Sequence, residues 1–522
     1  MDWIKKYKDK YIELGLGALL VIQFLLISVC NLTLIDNNLD CDNAKMFRHI
    51  MEIWERKTIA IPDWAYMTTL ELDCGSLLAI PLYGLTNNIY LAFGISNIIF
   101  TALFIAVLFY LFRGKELLYP LLCANMLCIP YRLGMLDYFN MMFFAGTQYI
   151  IKVMVPLILV GIVLNVEREK EKQGKLSKLT IGFMFLYVGL LFLTCMSSSV
   201  YVMACGIVPI CIAYAAYKFL KFEKVPVSLV VLVLLSGICL VVGNHLNISI
   251  MGGTRGNSMV FCSVYQMLGN ISSCFFGMFE LFGGATTSFE LQIFSKEGIL
   301  IVAKICLVIV MLVCAVLNIA KALKGKASLR EILLLGIFVW NYFVLNVANV
   351  RAGSSTYEFR YHLIGMLPLM CLTVITLVKG LKTLQIKQQK WLLGMVGLAI
   401  VFLLAGSYWQ VFESGEKNAE LKELTAYCKE LDVDYVYMYM GSNDSDICRV
   451  LDDSALYMHL GDNGRTWIYD YYDYYVDAPI QTERAIVVVK DAEYAKGDTF
   501  NIQEYVLTRF ATVGGRSLYY IQ

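Results

Sequence analysis

Residues 14–42 read LGLGALLVIQFLLISVCNLTLIDNNLDCD. Lysines at 5, 6, 8 and 10 precede this apolar run, and the carboxylates Asp36, Asp40 and Asp42 follow it. A helix needs about 20 apolar residues to cross about 30 Å of hydrocarbon, and the run supplies them. After Val29 the sequence Cys30-Asn-Leu-Thr33 offers no small-x-small cleavage site, so the run reads as an uncleaved first membrane helix rather than a signal peptide. Similar runs begin near Leu91, Leu117, Tyr149, Leu179, Val200, Val225, Gly298, Ile332, Leu363 and Trp391, the one at Leu117 being shorter. A soluble globule has no use for such repetition. The chain reads as an all-α polytopic membrane bundle of about eleven transmembrane helices.

Composition agrees. Hydrophobic residues make up 58% of the chain and charged residues 16%, against roughly 25% charged in ordinary soluble domains. A net charge of +1 excludes an electrostatic case for nucleic acid. The distribution of charge carries more. The segments around Lys5–Lys10, Arg113–Lys115, Arg168–Lys178, Lys218–Lys224, Lys321–Arg330 and Lys379–Lys390 hold 22 Lys and Arg, and the alternating loops hold 9. Short basic loops stay cytoplasmic, so the N-terminus is expected inside and, after an odd number of spans, the C-terminus outside. A multi-pass protein of the cell membrane follows, with a bacterial plasma membrane fitting best. Most of the 16 cysteines lie in apolar runs, where Cys behaves as a small hydrophobe. No CxxC spacing points to zinc. Cys41 with Cys74, and Cys428 with Cys448, are the pairs that could form disulfides outside.

Two domains are expected: residues 1–408 as the membrane domain, including a long first outer loop over 36–88, and residues 409–522 as an outer α/β domain. In the latter, Glu420 to Leu431 has helical periodicity, while Tyr435 to Met440, Ala485 to Val489 and Ser517 to Ile521 have strand composition. Within the first outer loop, Met46, Phe47, Ile50, Met51 and Trp54 share one helical face, with Lys45, Arg48, Glu52, Glu55 and Arg56 opposite. Such a helix is expected to lie along the membrane interface.

A carboxylate at the outer end of the first helix can meet a substrate whose tail stays in lipid, and can act as general base on an incoming hydroxyl or amine. Asp40 and Asp42 are the candidates, with Glu71 and Asp73 further along the loop. The plainer reading is that Asp42 caps the helix that follows, since Asp is among the best capping residues, and that the others are solvated.

This order of parts resembles the GT-C superfamily of membrane glycosyltransferases, in particular the protein mannosyltransferase and aminoarabinose transferase-like branch. The motifs that carry it are Asp40-Cys-Asp42 and Tyr357-Glu-Phe-Arg-Tyr-His362. The likeness implies a GT-C-like bundle and transfer of a sugar from a polyprenyl-phosphate carrier, usually with inversion. It makes Asp42 the base, with Asp40 as rival or helper. The Lys-Pro-Pro-like run of many relatives has no counterpart, and the comparable place reads Leu77-Leu-Ala-Ile-Pro-Leu. The sequence establishes no cofactor. The Asp40-Cys-Asp42 spacing is compatible with a divalent metal, though many relatives work without one.

Asn346 to His362 forms a second candidate at the outer end between two spans. Arginine suits bidentate phosphate binding, so Arg351, Tyr357, Arg360, Tyr361 and His362 are candidates for holding the carrier phosphate. The alternative is an Arg360 that snorkels to head groups or pairs with Glu358. Lys152, four residues into an apolar run, is expected to snorkel or to pair with Asp137. The glycines of Met251-Gly-Gly-Thr-Arg255-Gly-Asn permit an anion nest but fit a flexible loop better. Ser273 to Gly284 is apolar enough to dip into the membrane, and the tyrosines from Tyr469 to Tyr475 have faces that suit sugar rings.

Two functions are therefore weighed. One is a glycosyltransferase acting on an envelope glycan, lipid or protein at the outer face of the bilayer. The other is a transporter or flippase for an envelope lipid or polysaccharide precursor. Transporters tend to carry internal repeats and midplane charges. Neither is evident here, which favours the enzyme over the transporter and over a silent scaffold.

Overall fold

A computed structural model describes residues 2–66, 69–132, 137–198, 200–251, 260–285, 291–349, 359–414, 416–468, 470 and 478–522. Its helices are α1 (Asp2–Thr33), α2 (Cys41–Arg56), α3 (Ser76–Thr86), α4 (Ile89–Leu111), α5 (Leu118–Leu127), α6 (Tyr138–Met142), α7 (Ile150–Gln173) and α8 (Lys178–Ser198). They continue as α9 (Val208–Leu220), α10 (Val227–Met251), α11 (Val264–Leu281), α12 (Lys296–Leu323), α13 (Leu329–Val347), α14 (Leu363–Leu381) and α15 (Ile386–Glu413). Two short strands, β1 (Val260–Phe261) and β2 (Ala348–Asn349), pair antiparallel. The chain divides into two compact units. The first holds residues 1–28, 68–74 and 97–413, and the second holds 29–67, 75–96 and 414–522.

Among the described residues, ten helices are long and apolar enough to cross a membrane. The chain is a multi-pass membrane protein. Ten of the eleven expected runs are in place, and the run at Leu117 differs. It yields only α5, ten residues or about 15 Å of rise, too short to span alone. The sequence breaks it at Pro130, and from Leu121 to Phe144 nearly every described side chain except Met126 and Arg132 is buried. Backbone outside a helix is tolerated at membrane depth where protein surrounds it, and this segment meets that condition. In the first unit α7 and α14 are innermost, with 89% and 78% of their apolar windows buried. The apolar stretch Ser273 to Gly284, expected to dip into the membrane, belongs largely to α11, which a Ser263–Gln266 capping box opens.

The second unit carries a seven-stranded mixed sheet in the order β5-β4-β3-β6-β9-β8-β7. The strands are β3 (Tyr435–Tyr439), β4 (Leu456–Leu460), β5 (Thr466–Trp467), β6 (Ala485–Lys490), β7 (Thr499–Ile502), β8 (Tyr505–Val513) and β9 (Arg516–Ile521). The three expected strands are present within a residue or so of their expected ends. Strand β6 is parallel to β3 and antiparallel to β9; Ala485 to Val489 are all buried, as a continuous Ile/Val run in a central strand requires. Helices α16 (Ala419–Glu430) and α17 (Ser442–Leu451) are tied to the sheet through Arg516 of β9. Its guanidinium donates to Glu420 at 3.1 Å and to Asp444 at 2.7 Å. A short α18 (Asp491–Tyr494) follows β6.

Helix α2 belongs to this unit and is enclosed by it. Its apolar face packs on α3 and the start of α4: Phe47 stacks on Phe93 with centroids 3.9 Å apart. A Cβ at Gly84 would meet the Trp54 ring at 2.0 Å. The other face is fully open to water only at its end, at Glu55 and Arg56. Lys45 and His49 are buried, and α17 packs against this helix. Part of the polar face of this expected interfacial helix thus meets protein charges, while its end stays exposed. All 16 cysteines are free thiols, so neither suggested disulfide forms.

Candidate active site

The candidates fall in both units. In the second, Asp40 rather than Asp42 is the N-cap of α2. Its carboxylate accepts from Asn43 N at 2.9 Å and from Asn43 Nδ2 at 2.9 Å, satisfying a donor the first helical turn leaves open. Asp42 sits in that first turn, half-buried. The site is crowded with charge. Burial, then Asp42, Asp40 and Asp446, push the Cys41 thiol up to about 12. Burial and the neighbouring Asp470 raise Asp446 to about 7, with Arg449 and Lys45 pulling the other way. Asp470 is ion-paired with Arg449 and lies 4.0 Å from Arg48 Nε on α2. The loop ahead of α2 is held from the tail: Lys422 Nζ reaches Asp36 Oδ2 at 2.8 Å, and Asn418 Nδ2 donates to the carbonyls of Asp36 and Leu39, each at 3.0 Å.

In the first unit the loop 69–74 lies on the end of α8. Leu70 N donates to the Ser197 carbonyl at 3.1 Å and Leu72 N to Ser197 Oγ at 3.0 Å, so an orphan helix-end carbonyl is satisfied by the loop. Asn247 of α10 donates to the Met196 and Ser197 carbonyls at 2.7 and 3.1 Å. Glu71 is held at φ +55°, a left-handed conformation unusual for Glu. This bend sets Asp73, fully buried, against Lys152 Nζ at 3.0 Å, while Ser198 Oγ donates to its other oxygen at 2.7 Å. Lys152 neither snorkels nor pairs with Asp137. It is 6% exposed, and its third direction is taken by the Gln148 carbonyl at 2.7 Å. Asp137 pairs with Arg132 at 2.9 Å.

From this pair a line of tyrosines leads to the second motif. Lys152 Nζ lies 5.3 Å from the Tyr149 ring, Tyr149 lies 6.3 Å from Tyr201, and Tyr201 lies 6.1 Å from Tyr361. Tyr201 also donates to the Tyr361 carbonyl at 3.4 Å. Arg360 is half-buried, its guanidinium 5.5 Å from the Tyr361 ring. His362 is buried with Nε2 at 2.8 Å from the Cys274 carbonyl; that nitrogen therefore carries the proton, and the ring fastens α14 to α11. Arg351, Tyr357 and Glu358 lie outside the described residues, as do most of the glycine segment after Met251 and the tyrosines 469–475. Among the described residues no group of three or more His, Cys, Asp or Glu converges as a metal site.

No family model and no curated protein matches the sequence. Among solved structures the chain aligns with ArnT, the aminoarabinose transferase of Cupriavidus metallidurans, in its apo state. TM-score is 0.55 at 11% identity, with 97% of each chain covered. The same protein bound to undecaprenyl phosphate aligns with a TM-score of 0.53 at 10% identity, over 97% of this chain and 98% of that one. The fold is GT-C-like. An oligosaccharyltransferase of Archaeoglobus fulgidus tethered to an acceptor peptide also aligns, at 14% identity and TM-score 0.46, over 86% of this chain and 64% of its own.

Within this GT-C-like fold the structure groups Asp73 and Tyr361 along one line, which sequence spacing alone did not indicate. Tyr149, Ser198 and Tyr201 were missed as site residues. The one available signal was the charge of Lys152 inside an apolar run, which called for a buried partner without naming it. Asp446 and Asp470 were missed as neighbours of the first-loop carboxylates, because some 400 residues separate them in sequence.

Proposed function

We propose that the protein is a membrane glycosyltransferase that takes a sugar from a polyprenyl-phosphate carrier at the outer face of a bacterial plasma membrane. The acceptor is an envelope glycan, lipid or protein. The observation that carries this reading is the GT-C-like arrangement over 97% of the chain, with carboxylates placed at the end of α1. One of the aligned structures is ArnT with undecaprenyl phosphate bound, which supports a carrier of that class. In this reading the segment from α5 to α6 makes an eleventh, broken crossing, so the N-terminus and the basic loops are cytoplasmic and residues 409–522 lie outside.

Asp42 acts as base. It takes the proton of the acceptor hydroxyl or amine as that atom attacks the anomeric carbon, and the bond from that carbon to the phosphate oxygen breaks. The electron pair leaves with the polyprenyl phosphate, and configuration inverts. Asp40 holds the turn through Asn43 and keeps Asp42 in register. Arg351, Tyr357, Arg360 and Tyr361 serve the leaving phosphate, and His362 braces that segment through the Cys274 carbonyl. Glu71 and Asp73 belong to the loop on the end of α8, where Asp73 pairs with Lys152.

The test is reconstitution of the purified protein with extracts of the host's polyprenyl-phosphate sugars, followed by mass spectrometry of the lipids. Loss of one sugar-lipid with wild type, and not with Asp42→Asn, is expected. Unchanged lipids across fractions that include the native acceptor would overturn the reading.

A further inference from the structure

At the end of α14 remote from His362, Lys379 and Lys382 stand with Lys115, in the α4–α5 connection, and Arg330 of α13. Burial together with Arg330, Lys379 and Lys382 lowers the affinity of the Lys115 ammonium for its proton, so these four cations share one field. Lys379 reaches Glu331 at 2.8 Å and Lys382 reaches Glu116 at 2.5 Å. Lys115 is exposed and has no ion pair among the described residues, and Arg330 Nε has no hydrogen-bond partner among them. Rings form the floor of the cluster. Arg330 lies 5.3 Å from the Phe112 ring, Lys382 lies 5.5 Å from Tyr119, and the two rings stack at 6.1 Å.

Adjoining the cluster, through Leu381 next to Lys382 and Leu122 one turn beyond Tyr119, are two apolar cavities of about 310 and 300 Å³, which share Leu122, Leu393 and Val396 as their common wall. The first is bounded along α14 from Met370 to Leu381, about 16 Å of helix at 1.5 Å per residue. That is the depth of one leaflet of a hydrocarbon core about 30 Å thick. Leu377, Val310 and Phe402 on its rim are partly exposed, so lipid has a way in.

We infer a binding site for an anionic diacyl phospholipid, its phosphate among Lys115, Arg330, Lys379 and Lys382 and its two acyl chains in the paired cavities. Basic pockets between membrane helices are suited to phospholipid head groups, and two cavities of equal size with one shared wall suit two chains. Charge complementarity selects an anionic head group over a zwitterionic one. The site does not depend on the proposed reaction. A polyprenyl phosphate held at the His362 end of α14 would bring its tail, not its charge, to these cations.

The test uses the full chain in detergent with dioleoylphosphatidylglycerol and dioleoylphosphatidylcholine, which share their acyl chains. Retention is read by native mass spectrometry and stabilisation by melting midpoint. The glycerol lipid is expected to be retained and to raise the midpoint, and the choline lipid to do neither at equal concentration. Lys115→Gln, on an exposed side chain, should weaken the glycerol lipid about fivefold, the worth of roughly one surface cation, with the lipid-free midpoint unchanged. Val396→Trp, which narrows both cavities at their common wall, should weaken retention at least as much as Lys115→Gln. Equal retention of both lipids, stabilisation of the same size by inorganic phosphate, or preferential retention of undecaprenyl phosphate would each overturn the site.

Discussion

Removing Lys152 alone tests the arrangement at its most sensitive point. Asp73 is fully buried and Lys152 nearly so, with 3.0 Å between Nζ and Oδ1. In Lys152→Met the carboxylate would keep one donor, Ser198 Oγ at 2.7 Å, and no opposing charge. Breaking a buried pair from one side costs about 3–5 kcal/mol, because the desolvated partner is left uncompensated. Removing both charges avoids that penalty. The double variant Asp73→Asn with Lys152→Met should therefore recover to within about 2 kcal/mol of wild type. The interaction read from the cycle should reach at least about 2 kcal/mol. Unfolding of all four proteins in one detergent, followed by tryptophan fluorescence, supplies the comparison. If the single losses simply add in the double variant, the two groups do not compensate each other and the buried pair is refuted. Sugar transfer by a stable double variant would then show whether the pair acts beyond stability.

Asp40→Ala should cost about 0.5–2 kcal/mol as a lost cap, while Asp40→Asn should keep stability and most activity. Asp42→Asn should be as stable as wild type and inactive, so melting and turnover assays on the three separate cap from base. Because the native pKa of Asp446 is raised, the folded state keeps its proton between about pH 4 and about 7 while the unfolded chain has lost it. Stability from this group thus falls as pH rises through that window and levels off above it. Melting of Asp446→Asn should gain on wild type between pH 5 and pH 8; a constant gap would contradict the buried acid. Gly94→Ala places a Cβ 2.3 Å from the Asn31 carbonyl oxygen, an overpacking expected to cost about 1–3 kcal/mol in the same melting assay. Alkylation of denatured protein without reductant should add sixteen labels by intact mass, since every cysteine is free.

What the sequence made legible was whatever repeats locally. Ten spans announced themselves because an unbroken apolar run long enough to cross has few other uses. The region from α5 to α6 did not, because Pro130 and the charges of Arg132 and Asp137 interrupt it. Its membership of the bundle comes from burial by its neighbours. Strand β6 was readable from five consecutive apolar residues, whereas β7 and β8, with exposed faces, were not. The amphipathic face of α2 was legible, but its protein partners were not, because charge opposite an apolar stripe does not say that Asp470 will meet it. At the candidate site the carboxylates were visible and their roles were not. The choice between Asp40 and Asp42 as cap turns on two residues of register, and the partner of Lys152 lies 79 positions away.

Strand β9 lies between β6 and β8, inside the sheet rather than at its edge. A ribosome adds about 5–20 residues per second, so roughly half a minute to a minute and a half separates the emergence of α2 from that of Ile521. For most of that interval none of the sheet exists, since β3 begins only at Tyr435, and the segment bearing Asp40 and Asp42 waits until β9 fills its place between β6 and β8. The first loop is thus among the last parts of the molecule to be finished, and a chain arrested before β9 would be inserted in the membrane with that sheet unclosed.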